Sequence, residues 1–207
     1  MKLAASALAA AALAAAFGCR PASGRGEVFA AWEEGRTLIF EDPTLPDAPP
    51  ARLRSQQRLQ KQVVRTSESP AGRLVETDFT TFQGRQSFTL QLTGGGVSLL
   101  DGQGRALPLL PEGFPESATA WTIPGYRMQV LGRAYWGRQA PAFPANRPPE
   151  GVWVEGESLH GGARIRLFYL PDFGEVEKRE LRDGKWVTTS LMVGWSFQEV
   201  PRPAAPR

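Results

Sequence analysis

The sequence has very little of the side-chain chemistry that disulfides and metal sites require. Cys19 is the single cysteine and His160 the single histidine among 207 residues. One cysteine has no partner within the chain, so no internal disulfide can form and the core alone must hold the fold. One histidine cannot assemble a cluster of metal ligands. We therefore expect no metal site and no cofactor, and we interpret His160, in "SLHGG", as a turn residue.

A large excess of charge of either sign is also lacking. Lysine and arginine number 24 against 21 acidic residues, which gives a formal net charge of +3. Charges of both signs are interspersed, as in "GEVEKRELRDGK", and this pattern is typical of a solvated surface. Because a nucleic-acid-binding protein needs a concentrated basic face, we expect no nucleic-acid partner. The hydrophobic content of 42% indicates a folded globular protein.

No catalytic constellation stands out. Ser158 lies two residues from His160, but a nucleophile and a base act together only in a specific geometry across the chain. The glycines at 94–96 are not followed by the Lys-Ser/Thr pair of a phosphate-binding loop. Paired carboxylates, which a glycosidase needs, occur on any acidic surface; the available ones are Glu33, Glu34, Glu41, Asp42, Glu155 and Glu157. We expect a protein that is not an enzyme, with a hydrolase as an alternative.

Long hydrophobic runs are missing except for one near the start of the chain. Leu3 to Phe17 form an uncharged run of 15 residues that follows Met1 and Lys2. A membrane-spanning helix needs about 20 apolar residues, so this run is too short to span a bilayer. A short positive start followed by such a run is typical of a secretory signal peptide. The sequence therefore predicts export.

The end of this run resembles the lipobox of bacterial envelope lipoproteins. In Ala16-Phe17-Gly18-Cys19, the small residues Ala16 and Gly18 occupy the positions three and one before the cysteine, as small residues do in that family. The resemblance implies cleavage before Cys19, acylation of its thiol and attachment to a membrane, which is stable when two or more acyl chains are present. Arg20, instead of aspartate, implies the outer membrane, facing the periplasm. Two alternatives stay open: cleavage at an upstream Ala-x-Ala site, and a buried, inert cysteine.

Composition divides the chain into four parts. Residues 1–18 are predicted to be the lipoprotein signal peptide, and 19–27, which are small and polar, a flexible tether. Residues 28–200 contain no break strong enough for a boundary and are predicted to form a single β-rich domain. The proline-rich 201–207 are predicted to be a disordered tail. Within the domain we interpret 138–151 as a long loop, with a linker as the alternative.

The hydrophobic pattern of the domain is that of β-strands. Ile165, Leu167 and Tyr169 alternate with residues of the other face, and "QSFTLQLTG" alternates in the same way. Asp183-Gly184 predicts a tight hairpin because glycine accepts a positive φ. We predict a mostly β fold with a single curved antiparallel sheet, a half-barrel or an open barrel, and few or no helices after the signal peptide.

One segment is ambiguous. Residues 51–64, "ARLRSQQRLQKQVV", could form a helix. They could equally form a strand in which Leu53, Leu59 and Val63 share a face. The two interpretations stay open from the sequence alone.

The last third of the chain resembles a group of bacterial envelope proteins. A tryptophan-containing strand at 121–134 leads to "FYLPDFGEV" (168–176), where a strand runs into a corner and resumes. Pro171 ends one strand and Gly174 supplies the bend before the next. The group is similar to the lipoprotein carrier and receptor superfamily of half-barrels, in which a curved antiparallel sheet encloses an apolar cavity. The resemblance implies such a sheet over residues 75–197.

Aromatic residues are the most distinctive remaining feature. The six tryptophans are Trp32, Trp121, Trp136, Trp153, Trp186 and Trp195. The ordinary interpretation is that they fill the concave side of the sheet. The functional interpretation is that some line an apolar pocket, with Tyr135 and Trp136 as a movable lip beside the proline-rich loop. Tyr135, Trp136, Trp121 and Trp153 are the candidate contacts for a ligand or partner.

These features together predict a lipid-anchored envelope protein with a non-catalytic binding role. Its predicted partners are the membrane, through acylated Cys19, and an apolar ligand such as a lipid, or another envelope protein. The alternative is a structural or assembly-accessory lipoprotein that contacts other envelope proteins through its sheet edges or aromatic loop.

Overall fold

Twelve antiparallel strands form one sheet in the computed structural model, which describes residues 29–44, 58–81, 83–137 and 148–198. In chain order they are β1 (Arg36–Glu41), β2 (Arg58–Ser69), β3 (Gly72–Thr81), β4 (Gly84–Thr93), β5 (Gly96–Leu100), β6 (Ala106–Leu110), β7 (Ala120–Ile123), β8 (Tyr126–Tyr135), β9 (Glu150–Ser158), β10 (Arg164–Leu170), β11 (Gly174–Arg182) and β12 (Lys185–Phe197). No α-helix occurs in these four ranges. The predicted fold class, mostly β with a single curved antiparallel sheet, is confirmed.

Several predicted segments lie outside the described residues: the signal peptide, Cys19, the tether and the proline-rich tail. Residues 138–147 of the predicted loop lie outside them as well. The strands on either side, β8 and β9, pair directly with each other, with Tyr135 opposite Glu150. In the part of the chain that the structure describes, no helix is long and apolar enough to cross a membrane.

The first and last strands of the chain are neighbours in the sheet, whose order is β6-β5-β4-β3-β2-β1-β12-β11-β10-β9-β8-β7. The two outermost strands, β6 and β7, approach each other at what we call the seam. There Trp121 Nε1 donates a hydrogen bond to the carbonyl oxygen of Leu109 at 2.9 Å. The sheet therefore curves into a nearly closed barrel, an arrangement that leaves little exposed strand edge.

Tight turns set the register of the hairpins. Asp183-Gly184 connects β11 and β12 with φ values of 50° and 74°, so the predicted hairpin is confirmed. Gly94-Gly95 connects β4 to β5 in an equally short turn. At the predicted Pro/Gly corner, β10 ends at Leu170 and β11 begins at Gly174, whose φ of 78° favours glycine. The sequence signals at Asp183-Gly184 and at the Pro/Gly corner therefore locate these two connections correctly.

The ambiguous segment is a strand wherever it is described. β2 begins at Arg58 and pairs with β1 on one side and β3 on the other. Leu59 faces the interior and Val63 is buried, so they share a face as the strand interpretation predicts. Leu53 lies outside the described residues. The ladders on both sides use the backbone groups of β2, which excludes a helix over 58–69.

Phe114, in the connection between β6 and β7, joins three separate parts of the barrel. Its ring is fully buried and makes edge-on contacts with Phe29, Trp121 and Tyr169. The ring centres are 5.2, 5.5 and 5.8 Å apart, respectively. Each such pair contributes roughly 0.5–1.5 kcal/mol beyond the burial of its area. Phe114 thereby fixes the chain before β1 and the seam strand β7 against β10.

Candidate functional site

The interior of the barrel contains a cavity of about 600 Å³. Sites for small organic ligands have about 300–1,000 Å³ and combine an apolar lining with a few polar groups. The apolar lining here is Phe29, Ala30, Leu59, Phe79, Phe88, Leu90, Val97, Leu99, Leu109, Leu110, Ile123 and Leu167. The cavity therefore has the size and the character of a ligand site.

Strand alternation explains why these side chains face inward. Successive side chains of a strand point to opposite faces, so every second residue of an inward-facing strand lines the interior. Leu59 and Lys61 of β2 follow this rule, as do Leu167 and Tyr169 of β10. Lys61 is opposite Phe79 in the ladder between β2 and β3, and directly opposed residues share a face. The predicted common face of Leu167 and Tyr169 is confirmed.

The cavity reaches the protein surface beside the turn between β3 and β4. Its lining there consists of exposed residues, which are Thr81, Gln83, Gly84, Arg85 and Gln86. The segment before β1 covers another part of the cavity through Phe29 and Ala30. This segment lies against the corner at Gly174, where a Cβ atom would be 3.2 Å from the Phe29 carbonyl oxygen. A ligand would therefore enter beside the polar turn.

Three ionisable side chains line this apolar interior. They are Lys61 of β2, Tyr169 of β10 and Glu175 of β11. The Lys61 ammonium lies 5.7 Å from the centre of the Phe79 ring. Within the described residues, the side chains of Lys61, Tyr169 and Glu175 neither donate nor accept a hydrogen bond. Their hydrogen-bonding capacity is therefore open to a ligand.

Burial shifts the pKa of each of these three groups toward the uncharged form. It lowers the pKa of the Lys61 ammonium, and the negative charge of Glu175 opposes that change. It raises the pKa of the Glu175 carboxyl against the opposing effects of Lys61 and Lys178. It raises the pKa of the Tyr169 hydroxyl, and Glu175 adds to that effect. Lys61 and Glu175 thus interact across the interior, although β2 and β11 are not neighbouring strands.

A fourth polar group also lines the cavity. Thr77 of β3 lines the cavity, and its buried hydroxyl has no hydrogen-bond partner within the described ranges. Thr77 shares its strand face with Phe79, two residues away, and is therefore diagonal to Lys61 across the ladder. Buried hydroxyls in proteins nearly always find a partner. A polar group of a ligand would supply one.

Trp136 and Trp153, two of the predicted contacts, lie on the other face of the sheet. Phe168 stands between two cavity-lining residues of β10 and therefore points outward. Trp153 is opposite Phe168 in the ladder, and their ring centres are 4.8 Å apart. Trp136 is only 2% exposed, and its Nε1 donates a hydrogen bond to Glu177. We use the name outer cluster for Trp136, Trp153, Phe168, Glu177 and Arg179.

The other two predicted contacts lie elsewhere. Trp121 is partly buried at the seam, where its indole nitrogen is occupied by the Leu109 carbonyl. Tyr135, at the end of β8, is 63% exposed. None of the four predicted residues is among the cavity-lining residues of the described chain, and the structure does not bring them together in one site. Their contact with a ligand or partner stays a prediction.

The contact between Ser158 and His160 is made by the histidine backbone. His160 is exposed in the connection between β9 and β10, and its backbone N–H donates a hydrogen bond to Ser158 Oγ at 3.2 Å. This is a local turn contact, in agreement with the interpretation of His160 as a turn residue. Within the described ranges, no group of three or more His, Cys, Asp or Glu side chains is arranged to hold a metal ion.

Three of the six candidate carboxylates are paired with arginines. Glu33 pairs with Arg36 and Glu41 with Arg58. Glu155 accepts hydrogen bonds from Arg164 and from Arg166, the latter at 2.8 Å. Burial raises the pKa of Glu155, but these two guanidinium groups outweigh it and hold the pKa below its usual value.

Sequence reasoning did not single out Lys61, Thr77 or Glu175. For Lys61 a signal was present, because it lies between Leu59 and Val63, where alternation requires an inward side chain. Glu175 carried no such signal. A bulge in the ladder between β10 and β11 changes which residues of β11 face inward, and a bulge is not visible in the hydrophobic pattern.

Two solved structures are similar to this chain. One is a candidate exported protein with a YmcC-like fold from Bacteroides fragilis NCTC 9343, and the other is a candidate lipoprotein from Parabacteroides distasonis ATCC 8503. Each is 12% identical to this chain, covers 81% of it and 98% of its own length, and superimposes with a TM-score of 0.50. At this identity the likeness shows the fold alone. No protein-family model and no curated protein sequence matches the chain.

Proposed function

We propose that this protein is a lipid-anchored lipoprotein of the bacterial envelope that binds an apolar ligand in its barrel and carries out no chemical turnover. The observation that carries the proposal is the cavity of about 600 Å³ with its predominantly apolar lining. Small barrels either fill their interior with side chains or hold a ligand there. The size of this cavity favours the second arrangement.

The proposed location rests on the first residues of the chain. The apolar run and the lipobox resemblance at Cys19 support export followed by acylation. The descriptions of the two similar structures, one as an exported protein and one as a lipoprotein, agree with that location. Arg20 after the cysteine supports sorting to the outer membrane, with the barrel facing the periplasm.

The proposed ligand class follows from the lining. Each methylene group moved from water into such an interior gains about 0.8 kcal/mol, so acyl chains are the natural occupants. The resemblance of residues 75–197 to the lipoprotein carrier and receptor half-barrels supports the same class. An assembly-accessory role would not require an interior cavity, and for this reason we propose ligand binding instead.

Native mass spectrometry of the full-length protein, purified from bacterial cells, tests the binding role. We expect a co-purified lipid that dissociates on activation. Leu59→Trp and Leu99→Trp place a larger side chain into the cavity and should remove most of the bound species. Leu159→Trp makes the same change at a half-exposed position in the loop after β9 and serves as the control.

Two results would contradict the binding role. The first is a ligand-free wild-type protein that also fails to take up added lipid. The second is unchanged lipid content in both cavity variants, with circular dichroism spectra like that of the control. The anchor is tested separately by metabolic labelling with palmitate, which we expect to label the wild type and not Cys19→Ala.

A further inference from the structure

The two sides of the cavity differ in chemistry. Every lining residue on β5, β6 and β7 is apolar; they are Val97, Leu99, Leu109, Leu110 and Ile123. Apart from Arg85 at the entrance, the ionisable lining residues are Lys61 of β2, Tyr169 of β10 and Glu175 of β11. We call the first set the apolar wall and the second, together with Thr77 of β3, the polar wall. A pure hydrocarbon would leave the polar wall without partners, so the ligand that fits has one polar end.

Three side chains of the polar wall offer hydrogen-bond donors. The Lys61 ammonium has three donor hydrogens, and the hydroxyls of Tyr169 and Thr77 have one each. Among the described residues, Glu175 is the only carboxylate that lines the cavity, and its oxygens are acceptors. Arg85, at the cavity entrance, directs its guanidinium to Asp78. Within the described residues the Lys61 ammonium forms no ion pair, so it is the cation that a ligand would meet in the interior.

We infer that the cavity takes an acidic amphiphile, whose acyl chain lies against the apolar wall and whose single carboxylate or phosphate headgroup lies against Lys61, Tyr169 and Thr77. This inference names the ligand class for the proposed function and rests on it. The headgroup accepts hydrogen bonds from the half-buried Lys61 ammonium, and charge-assisted hydrogen bonds of this kind are among the stronger ones in proteins.

The negative charge of Glu175 disfavours headgroups that carry several negative charges. Its carboxylate attracts the Lys61 ammonium when the cavity is empty, and it repels an anion that approaches Lys61. A headgroup with one negative charge meets this repulsion once, and each further negative charge adds to it. Removal of the Glu175 charge should therefore strengthen the binding of acids and leave the binding of neutral chains unchanged.

Calorimetric titration with three probes of equal chain length tests this inference. The probes are dodecanoate, dodecyl phosphate and dodecan-1-ol, each kept below its aggregation concentration. The protein is the full chain with Cys19→Ser, so that no acyl group is attached to it. We expect at least one of the acids to bind about tenfold or more tightly than the alcohol. Which acid binds more tightly identifies the headgroup.

Three variants test whether the preference for acids over the alcohol depends on the polar wall. Lys61→Met should reduce the affinity for the acid to that for the alcohol, while retained alcohol binding shows that the barrel is intact. Glu175→Gln should raise the affinity for the acid roughly threefold or more. Lys185→Met makes the lysine change at an exposed position and should alter nothing.

The outcomes separate the two proposals. If the alcohol binds and the acids bind no more tightly, the inference is wrong and the binding role stands. If Lys61→Met keeps the preference for acids, the headgroup does not lie at Lys61 and the inference is wrong as well. If none of the three probes binds, the proposed function fails, and this inference fails with it.

Discussion

The indole nitrogen of Trp136 donates a hydrogen bond to Oε2 of Glu177 at 3.0 Å, and both residues are buried. The other oxygen, Oε1, accepts hydrogen bonds from Arg179 Nε at 2.7 Å and from Thr188 Oγ1 at 3.3 Å. Arg179 in turn lies 4.4 Å above the Trp153 ring. The outer cluster therefore holds the chain that follows β8 against β9, β11 and β12, on the face away from the cavity.

Glu177→Leu should lower the free energy of unfolding by about 2–4 kcal/mol, because it removes the acceptor for the Trp136 indole and the counter-charge of Arg179. Glu157→Leu, at an exposed position on β9, is the control and should change it by less than about 0.5 kcal/mol. Urea denaturation followed by tryptophan fluorescence measures both. Equal stability of the two variants would show that the outer cluster contributes nothing specific.

Arg36→Met should destabilise the protein by about 1–3 kcal/mol. Arg36 Nη1 donates a hydrogen bond to the carbonyl oxygen of Asp172 at 2.6 Å, and the guanidinium lies 4.8 Å from the Phe173 ring centre and 5.7 Å from that of Trp195. Methionine fills part of the space but leaves the Asp172 carbonyl without this donor. Thermal unfolding compared with Arg127→Met, an exposed change on β8, measures the loss. A melting temperature equal to that of the control would contradict the assignment.

Asp78 should make stability depend on pH in the acid range. The hydrogen bond from Arg85, and that from Ser87 at 2.6 Å, outweigh the effect of burial and hold the pKa of Asp78 below its usual value of 3.8. A carboxyl whose pKa is lower in the folded than in the unfolded state binds fewer protons when folded. Its stabilising contribution is therefore complete well above pH 3.8 and is lost as the pH falls through the folded pKa.

The matching variant is Asp78→Asn. At pH 7 it should be less stable than the wild type by about 1.5–3 kcal/mol, and this difference should shrink as the pH falls below 4. Urea denaturation between pH 7 and pH 2.5 measures the difference, with Asp183→Asn in the exposed hairpin turn as the control. A difference that stays constant over this range would show that Asp78 is not the titrating group.

Gly151→Ala should be one of the most damaging small substitutions in the sheet. A Cβ atom there would overlap the carbonyl oxygen of Tyr169 and approach Cζ of Phe168 to 2.8 Å. Displacing these packed groups costs about 1–3 kcal/mol. Gly194→Ala, on β12, places its Cβ in open space and should change stability very little. Similar melting temperatures for the two variants would mean that β9 can move away from β10 without cost.

The double variant Lys61→Met, Glu175→Met should raise the free energy of unfolding by about 1–4 kcal/mol while it removes the preference for acidic ligands. Burial lowers the pKa of Lys61 and raises that of Glu175, so it opposes the charged form of each group. Replacement of buried opposite charges by apolar side chains is often stabilising. A loss of stability in the double variant would instead show that the two charges hold the barrel together.

Much of the strand layout could be predicted from the sequence. The alternation in "QSFTLQLTG" falls within β4, and the turn at Asp183-Gly184 occurs as expected. These signals are local, because a strand's faces and a turn's φ values depend on adjacent residues. For β2, residues close together in the chain did not decide between helix and strand. The ladders to β1 and β3 decided it, and these join residues far apart in the chain.

The candidate site was harder to predict. The aromatic residues Tyr135, Trp136, Trp121 and Trp153 attracted attention because large rings are enriched in ligand sites. In the folded chain Trp136 and Trp153 pack on the outer face instead. The cavity is lined by leucine, valine, isoleucine and phenylalanine, with Lys61 and Glu175 among them. The alternating pattern assigns faces within a strand but does not say which face is enclosed.

By itself, the sequence determined the strand faces outside β2 and the short hairpins, because each depends on residues close together in the chain. Only the tertiary structure decided which face became the interior. Pairing of β1 with β12 and the approach of β6 to β7 enclose that face, and both relationships join distant parts of the chain. Lys61 and Glu175 face one interior for the same reason, since β2 and β11 are not neighbours and only the curvature of the sheet turns both toward the cavity.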